Sequence, residues 1–274
     1  MEAVKIRGLA LGEGTPVICV SLTGKTNEEL FEQAALAAES AAQMAEWRAD
    51  LYDGTESAVT EGATTESLTA EDTTDKSLAA ESVAEILPQL RSLLGEKILL
   101  FTVRTKKEGG EAELLPQEYA NIIKAALNTG CIDMADIEMS AGEAADELIA
   151  EAVSRGVCFV ISWHDFEKTP DDKSLRDSIL KMQETGAQSV KVAVMPESEE
   201  DVSRVMALAK ELKDGLAKKP FVLISMGEMG TVTRIKAEEM GSAFTFGALT
   251  EEQASAPGQI EVSRLAKEMG KCWG

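Results

Sequence analysis

Histidine is almost missing from this 274-residue chain: His164 stands alone. Aromatic residues make up only 4%, and the cysteines, Cys19, Cys131, Cys158 and Cys272, are far apart. With one histidine and no close cysteine pair, a transition-metal site is excluded. Cys19 and Cys158 lie inside apolar runs, where free thiols behave as small hydrophobes. No run approaches the roughly 20 apolar residues of a membrane span, and residues 1–7 lack the long apolar stretch of a signal peptide. No membrane partner and a cytoplasmic location are therefore expected. Positive charge is scarce too, with 27 Lys and Arg against 48 Asp and Glu and a net charge of −21. That balance excludes nucleic acid, whose phosphates require a basic face. It is also awkward for an anionic substrate, which would need arginines forming a positive pocket against the global field. A Gly-rich phosphate turn is lacking as well: residues 21–26, Ser-Leu-Thr-Gly-Lys-Thr, contain one glycine and are not a P-loop.

What is present is alternation. With 44% hydrophobic residues the chain can bury a large core, and its length suits two small domains or one α/β barrel. Strand-length apolar runs fall at residues 17–22, 44–50, 98–104, 132–138, 157–164, 189–194, 221–226 and 243–247. Segments of helical spacing separate them, such as 28–43, 118–128, 144–155 and 199–213, several ending at glycine. Near-continuous apolar strands alternating with helices imply a parallel sheet covered on its outer face. Eight such units predict a single (β/α)₈ TIM barrel over residues 1–274. An open doubly wound sheet is the competing architecture, though it more often has fewer strands. Residues 4–11 and 15–20, flanking a glycine turn at 12–14, read as an N-terminal β-hairpin plugging the barrel bottom. An acidic, low-complexity insertion at about 54–84 repeats every ten residues (TESAVTEGAT, TESLTAEDTT, DKSLAAESVA). Its first two copies are expected to stay mobile and the third to lead into a helix.

Lys191 lies inside the apolar run Val190-Lys191-Val192-Ala193-Val194. It must point into the lumen or pair with a carboxylate, and desolvation or neighbouring cations would expose its amine as a nucleophile. The plain alternative is a lysine paired at a strand end. His164 closes a strand, and at that end of a barrel strand a residue belongs to the face where chemistry is done. The two residues suggest Schiff-base chemistry. Glu46, Arg48 and Asp50 share one strand face, as a binding surface or an internal salt-bridge network. Arg104 ends its run in the same manner. Arg234, placed near the start of a helix, reads as a carboxylate binder or a surface arginine. Residues 254–259, Ala-Ser-Ala-Pro-Gly-Gln, suit a lid or an ordinary loop.

Taken together, Glu46-Trp47-Arg48-Ala49-Asp50, Phe101 to Gly110, Ser162-Trp163-His164-Asp165-Phe166, Val190-Lys191-Val192-Ala193, Thr231-Val232-Thr233-Arg234 and Gly241 to Gly247 with Ala254 to Gln259 give the chain its resemblance to the type I 3-dehydroquinate dehydratases of the shikimate pathway. That resemblance implies a barrel, usually a homodimer, that dehydrates 3-dehydroquinate without metal or cofactor. It implies that Lys191 forms the imine, that His164, near its ordinary pKa, is base and then acid, and that Glu108 orients it. Arg234, Ser255 and Gln259 would surround the substrate carboxylate, Glu46, Arg48 and Arg104 the ring hydroxyls, and Phe246, Ser21 and Met226 would complete the binding site. The acidic repeat is longer than the family's usual connection and bears on substrate access. Rival readings are a Schiff-base aldolase on the same fold, and a catalytically silent binding barrel or acidic interaction protein.

Overall fold

A computed structural model of the chain describes residues 1–54 and 79–270. The first two acidic repeats and the start of the third lie outside the described residues. A short antiparallel pair, β1 (Val4–Ile6) and β2 (Leu9–Leu11), precedes eight strands: β3 (Val17–Leu22), β4 (Met44–Arg48), β5 (Ile98–Thr102), β6 (Met134–Glu138), β7 (Cys158–Asp165), β8 (Ser189–Val194), β9 (Phe221–Ser225) and β10 (Phe244–Gly247). Helices α1 (Asn27–Glu39), α2 (Ala80–Leu94), α3 (Pro116–Thr129), α4 (Glu143–Arg155), α5 (Asp172–Gln183), α6 (Glu199–Glu211), α7 (Gly227–Ile235), α8 (Ala237–Met240) and α9 (Val262–Glu268) alternate with them. The eight strands pair in parallel in the order β10-β3-β4-β5-β6-β7-β8-β9. Ala243 N–H donates to the Phe221 carbonyl at 2.7 Å, drawing the two edges together into a nearly closed barrel. The eight expected strands are therefore the eight barrel strands, and the third repeat does run into α2.

Strand geometry sorts every side chain. Successive residues face opposite sides, and two separate buried clusters result. Ile18, Val20, Trp47, Phe101, Ile137, Phe159, Val192 and Leu223 face outward and pack with the helices. Val17, Cys19, Met44, Ile98, Leu100, Met134 and Val160 face inward with Ile6 and Leu11 of the hairpin, which seals the N-terminal end of the lumen. Following the inward rows of β3 to β7 upward, apolar residues give way to polar ones: Cys19 to Ser21, Met44 to Glu46, Leu100 to Thr102, Met134 to Asp136, Val160 to Ser162. All five of the upper residues are buried. The change of polarity marks where a closed floor ends and a site begins.

Two expectations about local structure are corrected. The hairpin turns at Arg7-Gly8, not at residues 12–14, pairing Val4 with Leu11 and Ile6 with Leu9. Both turn residues have positive φ, 46° and 79°, as a two-residue hairpin turn requires. Arginine rarely adopts that conformation, so composition points to the glycines instead, and residues 12–14 are the link into β3. The run at 44–50 also does not stay extended: the strand ends at Arg48 and Ala49–Leu51 form a 3₁₀ turn. Leu11 is fully buried at the floor whereas Leu9 is half-buried. Leu11→Ala is expected to lower unfolding free energy by about 2–4 kcal/mol in urea denaturation, and Leu9→Ala by clearly less.

Candidate active site

At the middle of β8, Lys191 does both things that its position allows: it points into the lumen and it is ion-paired. Nζ lies 3.2 Å from Asp136 Oδ2 and 3.5 Å from Glu46 Oε1, and 4.5 Å from the centre of the Phe246 ring. Its immediate partners are thus anions, not the neighbouring cations that one reading of the sequence offers. Glu46 is held on its other side by Ser21 Oγ at 2.7 Å and by Thr102 Oγ1 at 3.0 Å.

Beside the lysine lies a buried charge cluster centred on Arg104, which is only 3% exposed. Its guanidinium reaches Asp136 at 2.8 Å, Glu138 at 2.9 Å, Glu108 at 3.3 Å and Ser162 Oγ at 2.9 Å. Burial works against that charge, but Asp136, Glu138, Glu108 and Glu46 outweigh it and hold the guanidinium firmly protonated. Burial likewise opposes ionisation of Asp136, yet Arg104, Lys191 and a hydrogen bond from Ser162 keep its carboxyl below the ordinary value. Glu138 spends its oxygens on the Thr105 N–H at 2.9 Å and the Thr105 hydroxyl at 2.7 Å as well as on Arg104.

His164 follows Ser162 on the same face of β7, and its Nδ1 lies 2.9 Å from Glu108 Oε2. Burial, followed by the positive fields of Arg104, Lys191 and Arg48, pushes the imidazole well below its ordinary pKa. Glu108 moves the other way, up to about 7, chiefly through burial, with Glu138 and Asp136 adding to it against Arg104 and Ser140. The ring of Phe166 stacks beside His164 with centroids 6.4 Å apart. Gly109 brings backbone so close to that ring that a Cβ there would overlap it, and its φ of 78° suits glycine.

Three expected binding residues sit differently from their sequence reading. Arg48 is clamped by Asp50, Nε to Oδ1 at 2.8 Å and Nη2 to Oδ2 at 2.7 Å, because the 3₁₀ turn curls Asp50 back. Its remaining nitrogen reaches the Ser255 carbonyl at 3.3 Å. Arg234 lies in the last turn of α7, not near a helix start, since the helix begins directly after β9. It is 2% exposed and donates to the Pro257 carbonyl at 3.1 Å. No carboxylate among the described residues pairs with it, Nε has no partner, and burial lowers its pKa to about 10. Ser21 does not line the cavity but stands beneath it, joining Glu46 to the loop through a 2.8 Å bond with Ser255 Oγ.

Residues 254–259 fold over the mouth. Gly227 N–H donates to the Pro257 carbonyl at 3.2 Å, and Gly258, at φ 79°, lies against the Gly227 backbone with no room for a Cβ. Beneath this cover is a small cavity. Glu46, Arg48, Arg104, Glu108, His164, Lys191, Met226, Arg234, Phe246, Ser255 and Gln259 all line it. Asp136, Ser162, Ser140 and Phe166 escape the sequence reading. Asp136 and Ser162 carry a signal, since each lies two residues from an inward-facing strand residue; Ser140 and Phe166 lie in loops, where no period applies.

Fold and site define a class: a (β/α)₈ barrel enzyme with a lysine and a histidine–glutamate pair facing one covered cavity. A family model described as type I 3-dehydroquinase matches residues 18–269, and the chain belongs to that family. The 3-dehydroquinate dehydratase of Clostridium novyi is 38% identical over 97% of this chain and 96% of its own length; that of Salmonella typhimurium is 37% identical over 97% and 96%. Among solved structures, a type I 3-dehydroquinate dehydratase from Clostridium difficile with covalent modified comenic acid superposes with a TM-score of 0.86 at 32% identity, covering 98% of this chain and 97% of that one. The Enterococcus faecalis 3-dehydroquinate dehydratase gives 0.83 at 29% identity, covering 99% and 100%.

Arg104→Ala would take the arginine from three buried carboxylates, leaving Asp136 with Lys191 as its one cation and Glu138 and Glu108 with hydrogen bonds only, and is expected to cost about 3–5 kcal/mol of stability at pH 8. The carboxyls left without a cation then titrate higher in the folded than in the unfolded chain, so the variant gains stability as pH falls. Urea denaturation of both proteins at pH 8 and pH 6 checks this: the gap narrows at the lower pH.

Proposed function

We propose that the chain dehydrates 3-dehydroquinate to 3-dehydroshikimate, a step of the shikimate pathway, through an imine on Lys191 with His164 as base and then acid. The observation that carries this reading is the convergence of a buried lysine and a histidine–carboxylate pair on one covered cavity. Family membership supports the substrate.

The chemistry follows from the partners. Lys191 must shed a proton before its lone pair can attack the ketone carbon, and the carboxylates at 3.2 and 3.5 Å are within reach of it. Arg104 and Lys191 hold Asp136 ionised, which disfavours it as the acceptor. The carbinolamine loses water to give a protonated imine, an electron sink superior to the ketone. With Glu108 ionised, Nδ1–H points at its Oε2 and the Nε2 lone pair is free to take the proton α to the imine. The resulting enamine expels the β-hydroxyl, which leaves as water with the proton from Nε2. Hydrolysis of the conjugated imine returns Lys191, so the net loss is one water. The depressed imidazole pKa suits the second half of this cycle, since an imidazolium formed there gives its proton away readily. An imidazole near its ordinary pKa is what the sequence reading expects; burial and the surrounding Arg104, Lys191 and Arg48 lower it instead.

Arg234 supplies what the global charge denies. A buried guanidinium with no carboxylate partner is an anion site waiting for its anion, and a bidentate carboxylate satisfies it. Ala193, Ile224, Met226 and Phe246 form the apolar side of the cavity, across from the polar arc.

Borohydride added with 3-dehydroquinate is expected to trap an adduct on Lys191, read by peptide mass spectrometry. Lys191→Met should show neither adduct nor turnover; full activity in that variant would overturn the proposal, and turnover of a sugar phosphate would favour an aldolase. The pH profile of kcat/KM is expected to be bell-shaped. Below about 7, proton uptake at Glu108 turns its carboxyl into a donor to Nδ1 and removes the free Nε2 lone pair. Toward about 10, Arg234 loses its charge and substrate affinity falls. Glu108→Gln should abolish the acid limb, and His164→Ala should lower kcat by roughly 10²–10⁴-fold.

A further inference from the structure

Glu108 is a two-sided residue. Its Oε2 faces the cavity, in contact with His164 and Arg104, while Oε1 faces away and accepts a 2.6 Å hydrogen bond from Ser140 Oγ. Ser140 belongs to the 3₁₀ turn Met139–Ala141 that follows β6. It is exposed, and it lines a second cavity between the β5 and β6 loops, with Thr105, Lys106, Tyr119 and Glu138. Its hydroxyl nevertheless turns inward to a buried carboxylate. The groups around Glu108 from every packed element are Arg104 after β5, Asp136 and Glu138 of β6, and His164 of β7, with Lys191 of β8 and Arg48 of β4 adding their charges at the imidazole. Arg104 is already shared among three carboxylates. Glu108 therefore gets only its longest contact, at 3.3 Å, and two neighbouring anions oppose its charge. Ser140 is the only hydroxyl donor on this carboxylate among the described residues.

We propose that Ser140 is a positioning residue for the acid–base pair: its hydroxyl fixes the Glu108 carboxylate with Oε2 turned to His164, and so sets the lowest pH at which His164 has a free Nε2. A hydrogen bond to the ionised form favours that form. Without it the anion-crowded carboxyl takes its proton at higher pH, donates to Nδ1, and moves the imidazole into the tautomer that cannot act as base. This inference rests on the proposed roles of Glu108 and His164, but its test does not require turnover.

Because His164 is the only histidine in the chain, its imidazole nitrogens give a single, unambiguous pair of ¹⁵N NMR signals. In the substrate-free protein, the pH midpoint of those signals is expected to move upward by about one unit in Ser140→Ala, the size expected for one lost hydrogen bond to a charged group, and to return in Ser140→Thr, which keeps the hydroxyl. The acid limb of kcat/KM, normalised to each variant's own plateau, should move by the same amount, a roughly tenfold loss one unit below the limb. Exposure of the residue makes misfolding of the alanine variant no obstacle, and a thermal melt verifies it. An unmoved NMR midpoint in Ser140→Ala overturns the inference, as does a lowered plateau with an unmoved limb, which a purely structural role would produce. Failure of the borohydride trap instead sinks the imine reading and leaves the NMR result standing.

Discussion

A single guanidinium, out of contact with water, is the constraint on which the rest of this site depends. Unpaired buried charge is strongly disfavoured, and a buried pair is tolerated only when its geometry and hydrogen bonds are complete. Arg104 meets that condition by touching Asp136, Glu138, Glu108 and Ser162 together. Each of these carboxylates also holds a second group. Asp136 holds the Lys191 amine, Glu108 holds the His164 ring, and Glu138 holds the Thr105 backbone of the loop that carries Glu108. Lys191, His164 and the loop that carries Glu108 are thereby located against one charge. Such a network fixes geometry more than it adds stability, because isolating any member is costlier than the whole is favourable.

The barrel distributes polarity unevenly around its axis. Inward-facing residues of β4 to β8 supply Glu46, Arg48, Asp136, Glu138, Ser162, His164 and Lys191, whereas β9 and β10 supply Ile224 and Phe246, and the residue just after β9 supplies Met226. A ligand held between these faces meets titratable groups on one side and apolar side chains on the other. Arg234, on the helix that follows β9, places an unpaired cation away from the anion-rich arc. That placement resolves the difficulty raised by a net charge of −21: a local buried cation, poorly screened, outweighs distant surface charges that salt attenuates over about 8 Å.

The cover is wired into the same arrangement. Ser255 bonds Ser21, Ser21 bonds Glu46, and Glu46 contacts Lys191, while Arg48 and Arg234 each grip a carbonyl of the covering segment. Ser21, expected at the substrate, stands instead one step below the cavity, a connection between the covering loop and the Glu46 that contacts Lys191. Nothing in the local sequence distinguishes those two roles, since both require a small hydroxyl at an inward-facing strand position.

How much was legible in the chain follows from the range of each interaction. The alternation of apolar runs with helical segments is local, so the eight strands, the parallel sheet and the upper-rim position of His164 could be read directly, whereas Lys191 sits one inward layer lower, level with Ser162. Period two also marks Glu46 and Arg48 as inward-facing, and would mark Asp136 and Ser162. Tertiary structure alone decided which groups meet: Lys191 with Glu46 across 145 positions, Ser21 with Ser255 across 234, and Glu108 with His164 across 56. It also decided that the hairpin turns at Arg7-Gly8, that Arg234 ends its helix, and that Ser140 reaches Glu108. Periodicity fixes the face on which a side chain lies, but the strand order and register of the closed barrel fix its neighbours, and in a buried site the neighbours set the charge.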